Sequence, residues 1–106
     1  MEKFNFKDMT RGWFVGDFEP SAFKTKDCEV AYRIYKAGDS EAKHYHKVAT
    51  ELTLITSGKV MMNGVEYNEG DIIIMKPGEA TDFKALTDAT NVVVKIPSVK
   101  GDKYLS

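Results

Sequence analysis

Apolar and polar residues alternate along this chain at a period of two, and no stretch carries a convincing period of 3.6. Glu29–Tyr35 reads EVAYRIY, Glu51–Ser57 reads ELTLITS and Thr81–Ala85 reads TDFKA. Successive side chains of an extended chain point to opposite faces, so such runs describe strands with one face on a core. They are punctuated by Gly, Pro, Asn and Asp roughly every eight to twelve residues, the spacing of an all-β barrel or sandwich. The predicted strands are Gly12–Phe18, Glu29–Tyr35, Lys43–His46, Glu51–Ser57, Lys59–Met62, Val65–Tyr67, Asp71–Met75, Thr81–Ala85 and Asn91–Ile96.

The breaks between these runs have specific chemistry. Asn63-Gly64 predicts a type I′ hairpin turn, whose two central residues both need positive φ. Pro77-Gly78 reads as the centre of a type II turn. Pro97 should end the last strand because it has no N–H for a ladder. The segment Ser98–Ser106 is polar apart from Val99, Tyr104 and Leu105; it is expected either to be disordered or to lie along the barrel or a partner chain. The N-terminal third holds Phe4, Phe6, Trp13, Phe14, Phe18 and Phe23. That aromatic surplus predicts a layer closing the barrel and a contribution to a homodimer interface.

Composition narrows the class without choosing within it. At 106 residues the chain is of one-domain size, here residues 1–106, and can bury a core without disulfides. Fifteen basic against sixteen acidic residues leave a net charge of −1, which gives no basis for nucleic acid or an anionic membrane as a partner. The one cysteine, Cys28, cannot form an intrachain disulfide and fits a reducing compartment. The first residues, MEKFNFKDMTRG, hold no apolar stretch of signal-peptide length, and no apolar run reaches membrane-helix length. These features predict a cytoplasmic protein.

The chemistry gathers between Gly38 and Gly58. Both histidines of the chain lie here, His44 and His46, with one residue between them and Glu51 five residues further on. Alternation puts the two imidazoles on one face and Tyr45 on the other, and sets Glu51 with Thr53, Ile55 and Ser57. Two imidazoles and a carboxylate meeting from neighbouring strands are a mixed N/O set suited to Fe, Mn, Ni, Cu or Zn rather than Ca or Mg. A metal-bound imidazole normally gives its second nitrogen to an acceptor, which the sequence does not identify. Without metal, the histidines are left for acid–base work or direct ligand contacts.

The spacing of Gly38, His44, His46, Glu51 and Gly58 resembles the first conserved motif of the cupin family without substitution. The stretch Gly70–Ala85 resembles the second motif in part. Gly70, Asp71, Pro77 and Gly78 match, whereas Lys76 replaces a proline, Ala85 an asparagine and Thr81 the third metal-binding histidine. The resemblance implies a cupin-type antiparallel β-barrel, or jelly roll, that binds a small molecule. It also implies a divalent transition metal on His44, His46 and Glu51. Thr81 leaves either a three-ligand site or a barrel that has given up metal. Asp82 could take the missing place only through a bulge that turned it inward.

Other residues are candidates for contacting a small molecule: Arg33 and Tyr35, on one face of their strand with Ala31, and Thr81 and Phe83 on another strand. Arg33 is either a carboxylate or phosphate partner or a solvated outer-face residue, and Lys95 either points into the pocket mouth or marks the outer face. Met61, Met62 and Met75 read as core filler. By family analogy the leading expectation is a metal-dependent enzyme on a sugar-derived or carboxylate substrate; a non-catalytic binding or sensor protein is the alternative, and metal-free isomerase or epimerase chemistry a third.

Overall fold

The computed structural model describes residues 1–106 as two facing β-sheets with one 3₁₀ turn at Phe6–Asp8. The strands are β1 Trp13–Gly16, β2 Phe23–Lys24, β3 Glu29–Tyr35, β4 Ser40–Tyr45, β5 Thr50–Ser57, β6 Lys59–Met62, β7 Val65–Asn68, β8 Ile72–Met75, β9 Thr81–Ala85, β10 Ala89–Ile96 and β11 Tyr104–Leu105. One sheet has the order β2-β1-β3-β10-β5-β8 and the other β11-β4-β9-β6-β7. All nine predicted strands form, three of them with the predicted bounds and the rest within three residues at each end. The all-β, jelly-roll expectation holds. No helix is long and apolar enough to cross a membrane.

The turns follow from their residues. Asn63 and Gly64 take φ of 50° and 78°, as a type I′ hairpin between β6 and β7 requires. Across Pro77-Gly78 the Glu79 N–H donates to the Lys76 carbonyl at 3.0 Å, with Gly78 at positive φ. The last long strand ends at Ile96, before Pro97.

The interior is graded from apolar to polar. Tyr35, Ile55, Val60, Met62, Met75, Phe83, Ala85 and Ala89 form the core cluster. The register of β10 runs from Ala89 beside Tyr35 to Lys95 beside both Glu29 and Glu51. One end of the sandwich is therefore hydrocarbon, and the other is lined with charge. Inward-facing positions change character along each strand: Ile55, Thr53 and Glu51 on β5, and Ala89, Asn91, Val93 and Lys95 on β10.

Two short elements have no period-two signature. β2 pairs in parallel with β1, and β11 pairs with β4 at Tyr45 and His44. The C-terminal segment thus lies along the barrel and covers what would otherwise be an open sheet edge.

Candidate functional site

A cavity of about 360 Å³ opens between the polar ends of the two sheets. The six-stranded sheet contributes Arg33, Tyr35, Glu51, Asn91 and Lys95; the five-stranded sheet contributes Glu41, His44, Met62, Thr81 and Phe83. Trp13 and Phe18 from the N-terminal third and Lys103 from the C-terminal segment complete the rim. All four candidate contact residues, Arg33, Tyr35, Thr81 and Phe83, thus lie on one cavity wall or the other.

Strand parity explains most of these placements. Ala31 and Tyr35 are buried, so Arg33 between them faces inward, and Lys95 does so beside Val93. Neither cation is tightly paired. Arg33 Nη1 is 3.9 Å from Glu41 Oε1, and the guanidinium lies 5.3 Å from the Tyr35 ring centre. Lys95 Nζ is 3.9 Å from Glu29 and sits 4.8 Å over the Trp13 ring. Tyr35 donates to Glu41 at 3.4 Å. Its phenol is pushed well above the usual tyrosine range by burial, and the Glu41 carboxylate adds to the effect.

β4 departs from simple alternation. Glu41 pairs with Phe83 and His44 with Thr81, so β4 carries one extra residue between the two pairs. This irregularity lets Glu41 and His44, three apart in sequence, both face the cavity. His46 lies one residue past the strand end. It is 5% exposed, does not reach the cavity surface and meets the His44 ring edge-on at 5.5 Å between centres.

The electrostatics centre on His46 and Glu51. His46 Nε2 stands 3.6 Å from Glu51 Oε1, too long for a hydrogen bond and an ion pair only when the imidazole is protonated. The Glu51 carboxylate raises the His46 imidazole above its ordinary value, against the opposing effects of burial and Lys95. Burial alone would raise the Glu51 carboxyl; His46, Lys95 and His44 outweigh it and hold that group below its ordinary value.

Whether these residues suit a metal is a matter of donors, tautomers and spacing. His44 Nδ1 meets the Ala42 carbonyl at 2.9 Å, and His46 Nδ1 meets the Asp102 carbonyl. A carbonyl only accepts, so each Nδ1 carries the proton, and each neutral ring presents a bare Nε2, the form that ligates. His46 Nε2 is buried with no hydrogen-bond partner. Its distance from Glu51 is near the ~3.4 Å expected between two ligands of a tetrahedral ion with bonds of about 2.1 Å. The residues therefore fit a divalent transition metal in donor type, tautomer and one pairwise distance. They are not gathered into a finished trio: no group of three His, Cys, Asp or Glu side chains is close enough to hold an ion as they stand.

Thr81 faces inward, buried, and donates its hydroxyl to the Asp82 carbonyl at 2.7 Å. Asp82 is exposed and accepts from the Asn63 N–H at 2.8 Å. It serves the β6–β7 hairpin and takes no part in the site; β9 has no bulge to turn it inward.

Sequence reasoning missed Glu41, which pairs with Arg33 and Tyr35, and two buried residues besides. Asn91 is 2% exposed and its Oδ1 has no partner. An asparagine directly before the valine run Val92–Val94 was the available signal, since Asn is depleted in strands. Asp102 is 7% exposed, and its carboxylate accepts from the backbone N–H groups of Lys47, Val48 and Ala49. Nothing local in the sequence marks it.

No family model matches the chain, and no curated protein matches it. Solved structures do. An uncharacterized protein with a double-stranded β-helix domain from Klebsiella pneumoniae is 26% identical, with a TM-score of 0.70 over 77% of this chain and 72% of that one. The chain is a small cupin-fold domain. An RmlC-like cupin from Shewanella frigidimarina is 15% identical, covering 72% of this chain and 71% of that one, with a TM-score of 0.66. A cupin-superfamily sugar phosphate isomerase from Silicibacter pomeroyi is 22% identical, covering 68% of this chain and 52% of that one, with a TM-score of 0.61. At these identities the last two likenesses speak to the cupin fold alone.

Proposed function

We propose that this cupin-fold protein binds a small, polar, carboxylate- or phosphate-bearing molecule in the cavity, beside a divalent transition metal on His46, Glu51 and His44. The observation that carries the reading is the convergence of two loosely paired cations, Arg33 and Lys95, with an unpartnered imidazole nitrogen beside a charged carboxylate. Burying ion-pair partners 3.9 Å apart leaves hydrogen-bonding capacity that an anionic ligand would use. Trp13, Phe18, Phe83 and Met62 supply apolar contact and exclude water.

The division of labour follows from position. Arg33 binds and orients the anionic group from the β3 wall. Tyr35 is held protonated and remains a hydrogen-bond donor. His44, at the cavity surface, has one bare Nε2, which holds the ion in this reading and is free to take a proton from a bound hydroxyl only where no metal sits. A metal on His46 and Glu51 would supply Lewis-acid polarisation of a carbonyl or hydroxyl. The isomerase among the structural neighbours is consistent with a sugar-derived substrate, and its chemistry is an analogy of fold.

A second reading has its own support. The three ligating groups are not gathered as a trio, and Thr81 offers only a hydroxyl already committed to Asp82. On that basis the cavity would recognise its ligand without metal, as a binding or sensor protein. Metal analysis with thermal-shift titration against hydroxycarboxylates and sugar phosphates separates the two. Ligand stabilisation that requires added metal and is lost in Arg33→Ala supports the first reading. Stabilisation indifferent to chelator supports the second, and none in either condition rejects both.

We also propose that two copies pair through the outer face of the six-stranded sheet. Its register sets Ile74 beside Leu52 and Val94, and Ile72 beside Leu54 and Val92, a contiguous aliphatic patch on which Ile72 is 65% exposed. Ile74→Asp is expected to give a folded monomer in light scattering; a wild type that is itself monomeric rejects the pairing.

A further inference from the structure

We propose that the C-terminal segment Ser98–Ser106 is a strap that completes the site, with Asp102 the positioning residue that fixes the imidazole of His46. The inference rests on the reading above in assigning His46 a ligand role.

The geometry converges on one residue. The Asp102 carboxylate takes the N–H groups of Lys47 at 2.8 Å, Val48 at 3.2 and 3.3 Å, and Ala49 at 2.9 Å. These are three successive amides of the connection between β4 and β5, an anion held in a nest of N–H donors. The main-chain carbonyl of the same residue accepts from His46 Nδ1. Asp102 therefore grips both the loop after His46 and the imidazole itself. Without that carbonyl the ring would have no reason to keep its proton on Nδ1, and its bare Nε2 would no longer be aimed at Glu51.

Both ends of the strap are tied down. At its start the Ser98 hydroxyl donates to Glu29 at 2.8 Å and accepts from the Asp17 N–H at 2.9 Å. At its end β11 pairs with β4 beside His44, and the Tyr104 ring stacks on Tyr45 at 5.5 Å with Lys47 Nζ 4.2 Å above it. Between the ends lies a second cavity of about 300 Å³, lined in part by Ala49, Val99 and Asp102. The middle of the strap is thus held by polar anchors more than by apolar packing, which concentrates its hold on Asp102. The strap also brings Lys103 to the rim of the main cavity.

The test uses the 106-residue protein labelled with ¹⁵N, Asp102→Asn, and a chain ending at Val99. Ring-nitrogen shifts of His46, read at alkaline pH with the imidazole neutral, report its tautomer. Amide exchange of Lys47, Val48 and Ala49 reports the loop, and Co²⁺ titration reports ligation. Wild type should show a single tautomer protonated on Nδ1. Asp102→Asn keeps the main-chain carbonyl but replaces one carboxylate oxygen of the nest by an NH₂ facing N–H donors, so the seat of that carbonyl loosens. It should mix the tautomers, speed exchange at the three amides by at least about tenfold, and weaken Co²⁺ binding roughly 10- to 100-fold. The shortened chain should reproduce these effects; if it does not fold, Asp102→Asn decides alone. An unchanged His46 tautomer in a folded Asp102→Asn protein overturns the proposal, even if that protein melts earlier, because a merely structural strap would do the same. If wild type takes up no Co²⁺, the metal reading fails while the tautomer comparison still decides the strap.

Discussion

Replacing Glu51 with Gln removes the charge that faces His46 while nearly conserving shape, and its effect can be worked from the geometry. At 3.6 Å the attraction between imidazolium and carboxylate is about 4–5 kcal/mol at an effective dielectric near 20. Both groups are buried, so desolvation offsets much of this, and His46 can shed its proton when the partner is gone; roughly 2 kcal/mol remains. The pKa of His46 is raised in the folded protein, so the pair's stabilisation is fully present below the unfolded value of 6.5 and is lost as pH rises through the folded value. In chelator-treated protein, Glu51→Gln should therefore lower Tm by about 8–16 °C in mildly acidic buffer, at ~4–8 °C per kcal/mol, and by less in alkaline buffer. The sharper assay is the His46 titration followed by NMR. With Glu51 neutral, burial and Lys95 act against the imidazolium, and only the Asp102 carbonyl supports it. The pKa should fall from above 6.5 to below it. A His46 pKa that does not move would refute the coupling, and with it the claim that these two groups form one site.

Three further outcomes are expected. Thr81→His adds an imidazole at the position paired with His44, in a cavity with room for it, and should tighten Co²⁺ binding at least tenfold, about 1.4 kcal/mol by calorimetry; unchanged affinity would place residue 81 away from the ion. Gly58→Ala should cost at least about 3 kcal/mol in denaturant unfolding, because φ is 82° there and the new Cβ would sit 2.2 Å from the Asp88 carbonyl oxygen; a loss under about 1 kcal/mol would contradict that turn. Asp102 and Glu51 are both held below their ordinary values of 3.8 and 4.5, so their stabilisation is present above those values and is lost as pH falls through the folded ones. Thermal scans should show an acid limb below about pH 4.5 that is shallower in Asp102→Asn; limbs of equal slope would argue against the N–H nest.

Strand identity and the inward face were legible because burial imposes a period of two. Glu51, Thr53 and Ile55 face in as alternation requires, and Asp82 faces out between Thr81 and Phe83. The side on which Arg33 lies needed the burial of Ala31 and Tyr35, which no rule internal to β3 supplies. The extra residue on β4 was invisible, since a bulge changes parity without changing composition. Asp102 was out of reach for a different reason: its partners lie more than fifty residues away, and it sits in a loop before a two-residue strand, where there is no period to read. The spacing of the two histidines and Glu51 pointed to the pair that the fold sets side by side. Whether all three share an ion depends on ring positions that spacing does not encode.

The most direct test of the account is a Co²⁺ titration of chelator-treated wild type, read by calorimetry and by the ring-nitrogen shifts of His44 and His46. One ion per chain is predicted, with both Nε2 signals perturbed and binding abolished in a folded His46→Ala variant. Absence of saturable uptake by wild type, or uptake that leaves either Nε2 unmoved, would contradict a centre built on these imidazoles and Glu51.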